Sequence, residues 1–404
     1  MSLITPSSRG KGSGTQQKAG GRRAENNRIY AHPLPLLFVD PPKTRMTSVL
    51  GLLGLSLTRV ENPHCEGVFD PITRSVWVSK PEHSTILWRR GFFGKGDLSR
   101  SEPSWLARQI NIKKNGGKQL TSEEVREKRR AERKQFKLDR AKAIAAVAEE
   151  AEKIFAEEGR VIAPALSGPN IPSAATWKPS PKPQPTEAET PEASEEPIPL
   201  VDLEPLEDVE HLQLTLQEAF FLLWNLDCLT VLDPDTLSPM PIKEIWLAFQ
   251  RSELPPSISI CVSGEDLQFD NPFLVNYVVY HHYRSLGWVI KGGIKFCVDY
   301  LLYKRGPVFA HAELALVVLP VYEDPADQKA SNLDLQNSSP FAWSWLSTIN
   351  RVNSQVQKTL VLVYVTIPAR SRVPLKALQS PSCFSYYSIR EVVLRRFIPA
   401  RMRD

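Results

Sequence analysis

Hydrophobic positions in this 404-residue chain come in periodic blocks separated by long polar or proline-rich stretches. The first block follows a basic, polar N-terminus, MSLITPSSRGKGSGTQQKAGGRRAENNR, which has no apolar core of a secretory signal and predicts a disordered tail over 1–28. From Ile29, IYAHPLPLLFVDPP reads as a proline-punctuated extended entry. VFDPITRSVWVSKPEHSTILWRRGFFGKG then predicts a strand at Ser75–Val78 and a helix from Pro81 to Arg90 that stops at Gly91. A Gly/Ser-rich loop, GKGDLSRSEPSW, follows from Gly94 to Trp105 and lacks the GxxxxGK[ST] spacing that cradles phosphates.

Ser122 to Glu158 consists of strong helix formers with acids in the first turn, and predicts one long helix. Its first half carries Arg126, Lys128, Arg129, Arg130, Arg133, Lys134, Lys137, Arg140 and Lys142, which suits either an RNA-backbone stripe or a solvated face with i,i+4 ion pairs. Ten prolines between 164 and 199 and almost no apolar periodicity predict a disordered linker over 161–205. Order resumes at Leu212, where LQLTLQEAFFLLWNLDCL and PIKEIWLAFQRS have helical spacing. That piece is too poor in strand to stand alone. It completes an N-terminal domain whose first part is 29–115 and second part 206–265, interrupted by the charged helix of 116–160 and the linker.

The remaining block, 266–404, alternates differently. NPFLVNYVVYHHYRSLGW is an amphipathic helix ending at Gly287; WVIKGG, IKFCVDYLLYKRG and HAELALVVLP read as strands; and YEDPADQKASNLDLQNSS is polar. WSWLSTINRVNSQVQ is helical, and KTLVLVYVTIP and SYYSIREVVLRRFIP close the chain as strands. Helix, strands, helix, strand, strand is a mixed-sheet α/β domain. The fold class is therefore α/β: a split N-terminal α/β domain and a C-terminal mixed sheet, with a charged, proline-rich insertion.

Composition narrows the function only slightly. A net charge of +5 permits a nucleic-acid partner without requiring one. The five cysteines, Cys65, Cys228, Cys261, Cys297 and Cys383, have neither CxxC nor metal-ligand spacing and suit a reducing compartment. The apolar run Ala219–Leu226 is far short of the ~20 residues of a membrane span.

The chemistry centres on YKRGPVFAHAE, which puts Tyr303 and His311 on either side of a Gly-Pro turn, and on Lys358 before the next apolar run. A phenol, an imidazole and an amine suit acid/base chemistry on an anion. RNA self-attack fits: a ribose 2′-OH displaces the adjacent 5′-oxygen while one group takes a proton, another supplies one, and a cation stabilises the phosphorane. By spacing alone, a Tyr at a strand end, a hairpin His and an edge Lys are equally compatible with an ordinary hairpin. His281 and His282 diverge by about 100° on a helix and make a poor chelating pair. Trp288 reads as a core aromatic, and Asp299 and Glu313 are too few carboxylates for a metal-dependent nuclease.

YHHYRSLGWVIKGGIKFCVDYLLYKRGPVFAHAE, from Tyr280, resembles the catalytic core of tRNA-splicing endonucleases, in particular the eukaryotic catalytic subunit assigned to the 5′ splice site. LWRRGFFGKGDLSRSEPSW (87–105) is similar to that subunit's N-terminal part, and SIREVVLRRFIP to its closing strand. The resemblance implies a restriction-endonuclease-like catalytic fold, with Tyr303 as general base, His311 as general acid and Lys358 stabilising the transition state. It implies 2′,3′-cyclic phosphate and 5′-hydroxyl products and no cofactor or metal. It also implies a heterotetramer with a second catalytic and two structural subunits, and a nuclear or mitochondrial-surface location. Arg351, seven residues before Lys358, and Arg370 or Arg372 after it are candidate base-clamping arginines by the same likeness. The 47-residue gap from His311 to Lys358 is longer than in archaeal relatives. The rival reading is a non-catalytic RNA-binding or scaffold subunit of the same fold.

Overall fold

The computed structural model describes residues 4–6, 21–39, 59–99, 101–114, 122–158, 207–254, 267–337 and 342–395. The predicted linker over 161–205 and Cys261 lie outside them. Residues 106–207 form one compact unit, and the residues on either side of it together form the other.

The main unit starts with helix α1 (Gly21–Ile29), strand β1 (Leu37–Val39) and strand β2 (Arg59–Glu61). Part of the tail predicted to be disordered is thus helical, because GRRAENNRI ends on an apolar residue and Tyr30, which packs against Phe92 and Phe309.

Strands β3 (Cys65–Asp70), β4 (Ser75–Val78), β5 (Lys95–Gly96), β6 (Leu212–Thr215) and β7 (Leu229–Leu232) form one sheet in the order β5-β6-β4-β3-β7. Strands from both sides of the insertion therefore share a sheet, with β4 antiparallel to β6 and β3 parallel to β7. Helix α2 (Pro81–Arg89) follows β4. The segment 212–232 is only partly helical. LQLT alternates buried and half-buried as β6, Thr215 caps helix α5 (Leu216–Phe220) in a reciprocal box with Glu218, and a π-helical turn at Phe221–Asn225 leads to β7. Helix α6 (Ile242–Ser252) closes this half, and its Trp246 Nε1 donates to the Leu378 carbonyl at 2.7 Å.

Helix α7 (Pro272–Ser285) is buried nearly all round, which explains its aromatic density. Tyr277 meets Phe220 edge-on at 5.0 Å on the N-terminal side, while the helix lies along the C-terminal sheet on the other. Asn271 caps it by accepting from Phe273 N at 2.9 Å.

That second sheet contains β8 (Val289–Gly292), β9 (Tyr300–Tyr303), β10 (Leu314–Tyr322), β11 (Thr359–Ile367) and β12 (Ser388–Leu394) in the order β12-β11-β10-β9-β8. Only β10 and β11 run parallel. Helix α8 (Pro325–Ala330), capped by Asp324, and helix α9 (Trp343–Gln355) make the crossover between them. Alternation along the central strands sorts their side chains. Leu302, Leu316, Val318, Val361 and Val363 join the core with α7, and Leu301, Ala315, Val317, Leu360 and Leu362 pack with Leu346 and Ile349 of α9. Each buried Leu contributes roughly 1.5–3 kcal/mol. This is why β10 reads as a continuous apolar run. Residues 294–296, expected to be strand, form a 3-10 turn ended by Cys297 at φ 55°, and the strand begins only at Tyr300.

The other unit includes helix α3 (Trp105–Lys114), most of which belongs to it, and helix α4 (Ser122–Glu158), a single run of 37 residues. No described helix is long and apolar enough to cross a membrane.

Candidate active site

The two apolar runs flanking YKRGPVFAHAE become β9 and β10, and their pairing fixes the first catalytic candidate. Leu302 faces Leu314, and Glu313 N donates to the Leu302 carbonyl at 3.0 Å. On the other side of β10, Thr359 N donates to the Glu313 carbonyl at 3.0 Å. Glu313 thus bridges the two neighbouring strand ends, and one more step of register puts Tyr303, Glu313 and Lys358 in a single row. Two strand spacings separate the Tyr303 and Lys358 Cα atoms by about 10 Å, a gap that a phenol and a four-carbon amine can span towards a common ligand. Leu301, Ala315 and Leu360, two residues along each strand, share the core under α9, so the row projects from that face.

Lys358 is held from below and behind. Its ammonium lies 4.8 Å from the centroid of the Phe296 ring, and its N–H donates to the Asn353 carbonyl at 2.9 Å. Asn353 is fully buried at the end of α9, where its side-chain amide donates to the Phe296 carbonyl at 3.3 Å and the Ile349 carbonyl at 2.9 Å. One asparagine therefore joins the 3-10 turn, the helix and the lysine. The Tyr303 ring packs against Trp88, Phe92 and Val289, and burial pushes its phenol above the ordinary value.

His311 does not begin a strand, as the spacing suggested. It is exposed, in a turn three residues before β10, with buried Ala312 anchoring the chain behind it. The turn needs glycine at 306, where φ is 120° and a Cβ would overlap the Phe92 ring. Arg305 stacks on Phe309 at 4.3 Å and donates to the Asn27 side chain at 3.1 Å, while Phe309 meets Tyr30 edge-on at 5.8 Å. Arg305 is thus used to pin the turn to α1. Tyr30 in turn donates to Glu102 at 3.2 Å, and burial with that carboxylate raises its phenol to about 12. A cavity of 1160 Å³ opens here, lined by Tyr30, Arg89, Lys304, Arg305, Phe309 and Glu313 among others. Among the described residues, none hydrogen-bonds to the Tyr303 hydroxyl, the His311 ring or the Lys358 ammonium.

The candidate arginines are not brought to this row. Arg351 is exposed, about 140° round α9 from buried Leu346. Arg370 and Arg372 follow the far end of β11, a nine-residue strand of about 26 Å. There Arg372 pairs with Glu323 at 2.9 Å. An extended strand carries its two ends apart, so Arg370 and Arg372 stand at the opposite end of β11 from Lys358. Phe296, Asn353 and Tyr30 were missed. Nothing in their local sequence marks them, since each acts through contacts distant in the chain.

Of the remaining candidates, Trp288 is a core aromatic. His281 and His282 turn to separate partners, Asn225 and Glu391.

The family model for the catalytic C-terminal domain of tRNA intron endonucleases matches residues 273–372, which run from α7 to just past β11. Over its whole length the chain is similar to two yeast proteins. It is 32% identical to the probable tRNA-splicing endonuclease subunit sen2 of Schizosaccharomyces pombe, covering 94% of this chain and 100% of the relative. It is 29% identical to the tRNA-splicing endonuclease subunit SEN2 of Saccharomyces cerevisiae, covering 94% and 98%. The mouse subunit Sen2 is 33% identical over 195 residues, 48% of this chain and 36% of the relative. With a catalytic domain matched by the family and a relative aligned along its full length, the chain belongs to the Sen2 family of tRNA-splicing endonuclease subunits.

Proposed function

We propose that this chain cuts precursor tRNA at the 5′ splice site by internal transesterification. The ribose 2′-oxygen forms a bond to the adjacent phosphorus as the P–O5′ bond breaks, leaving a 2′,3′-cyclic phosphate and a 5′-hydroxyl. Tyr303 takes the 2′-OH proton, His311 supplies one to the departing O5′, and the Lys358 ammonium stabilises the charge that builds on the phosphorane. The nucleophile is the substrate's own hydroxyl, so the reaction calls for no activated water and no metal.

The observation that carries the reading is the register that aligns Tyr303 and Lys358 at one end of the sheet, with exposed His311 on the adjoining turn. The neighbouring cavity, with Arg89 and Lys304 in its wall, is large enough for a nucleotide. Arg351, Arg370 and Arg372 remain proposed RNA contacts, outside this row. The partners we propose are a second catalytic subunit and two structural subunits. Strand β12 supports such pairing, because it is a seven-residue sheet edge with Val392 and Val393 exposed. We place the complex in the nucleus or on the mitochondrial outer surface.

The test is cleavage of an intron-containing precursor tRNA in EDTA by the reconstituted four-subunit complex, with the ends mapped. His311→Ala should abolish the 5′ cut alone, and the unmodified complex should leave cyclic-phosphate ends there. Normal cutting at both junctions by His311→Ala would reduce the chain to a scaffold.

A further inference from the structure

Helix α4 carries a run of cations along one face of its middle turns. At about 100° per residue, Arg130, Arg133, Lys137 and Arg140 fall within an arc of about 80° that runs for about 15 Å along the helix. Glu132 and Asp139 project at least about 80° from that arc. The four cations are exposed, and among the described residues none of them is in an ion pair. A face solvated through i,i+4 pairing would interleave the two signs, whereas between 130 and 140 no acid falls within this arc, although Lys128 and Lys142 stand at helix positions on the acids' side. The helix has no apolar face opposite these cations: Phe136 and Leu138 lie about 160° apart around its axis, and Ile144 and Val147 of its second half fall on the cations' own side. A helix that lies on a membrane needs such a face opposite its cations.

We propose that Arg130, Arg133, Lys137 and Arg140 form a phosphate-backbone binding stripe for the precursor tRNA. The inference rests on the reading that this chain acts on RNA, and the stripe supplies affinity without base specificity.

The test uses the full-length chain in the reconstituted complex, with Arg130, Arg133, Lys137 and Arg140 all changed to Gln, a residue of similar helix propensity. Binding of fluorescent precursor tRNA is titrated from 50 to 200 mM KCl. The variant should reduce the slope of log affinity against log salt by about 3, roughly 0.7–0.9 per phosphate contact, so that its affinity falls about 60-fold less than the parent's between 50 and 200 mM, and it should bind more weakly than the parent throughout. Cut positions and the rate at saturating RNA should not change. A control with Glu132→Gln and Asp139→Gln should leave the slope unchanged or steeper. An unchanged slope in the quadruple variant overturns the stripe. So does loss of binding to vesicles containing phosphatidylserine while the RNA slope is retained, which would make the surface a membrane contact. If His311→Ala fails to abolish a cut but the slope still drops, the catalytic assignment fails and the stripe stands.

Discussion

Burial of Tyr303 sets the pH dependence of the proposed reaction. Desolvation raises its phenol above 10, so at neutral pH very little of it is phenolate, and the chemical step under single-turnover conditions should stay nearly level from pH 7 to 9, each gain in phenolate being offset by loss of the protonated donor that the departing O5′ needs. Tyr303→Phe should lose about 10²–10⁴-fold in that step and make what remains fall as pH rises from 7 to 9, while RNA affinity stays within about twofold. A Tyr303→Phe enzyme with the parent's profile would assign the base to another group. Gly306→Ala should be damaging for a different reason, since it puts a Cβ at φ 120° into Phe92 and must move the turn that carries His311. We expect a lowered cleavage rate with the sheet intact, measured by single-turnover kinetics beside circular dichroism. At this scale the sequence showed the residue types and their closeness to strand ends. It could not show that Glu313 bridges Tyr303 and Lys358, because that depends on a parallel pairing across dozens of residues.

Elements are legible where one periodicity dominates. Ser75–Val78 and the helix from Pro81 stand out in the chain because a strand period gives way to a helical one at a proline. Residues 212–232 read as helix throughout because a short half-buried strand, a one-turn helix and a π-turn merge into one apolar run. The junction between α9 and β11 is similarly hidden. Helical spacing in WSWLSTINRVNSQVQ gives the helix, but not that Asn353 seals its end to the Phe296 carbonyl and holds Lys358. Replacing buried Asn353 by Leu leaves the Phe296 carbonyl without this donor and should cost about 1–3 kcal/mol in urea unfolding. It should also lower the chemical rate more than RNA affinity, because the Phe296 backbone loses the amide that holds it, and the Phe296 ring is what the Lys358 ammonium lies against. Asn353→Asp, which keeps the shape but not the amide donors, should behave like Leu in the rate.

For the main unit as a whole, one core spans both sheets, and it is unusually rich in buried phenols. Burial raises Tyr277, Tyr283 and Tyr300 far above 10 and Tyr322 to about 12, and buried Cys65 and Cys383 are also pushed up to about 12. Each of these groups binds its proton more tightly folded than unfolded. Below the unfolded values their contribution is fully present. Above them, the unfolded chain releases protons that the folded chain keeps, so stability falls as pH rises. Lys291 acts in the opposite sense, because burial lowers it although Glu218, 3.2 Å away, raises it, but it is one group against many. The melting temperature of the full chain should therefore hold between pH 7 and 8, begin to fall above the unfolded thiols' value of about 8.5 and drop steeply between 10 and 12. The same scan of Tyr322→Phe should fall less steeply, because one of the shifted phenols is gone. The two-sheet core also explains why the split domain could be inferred at all. Strands at 65–78 and 212–232 are each too few to bury a face alone, so they must complete a single sheet around whatever chain intervenes.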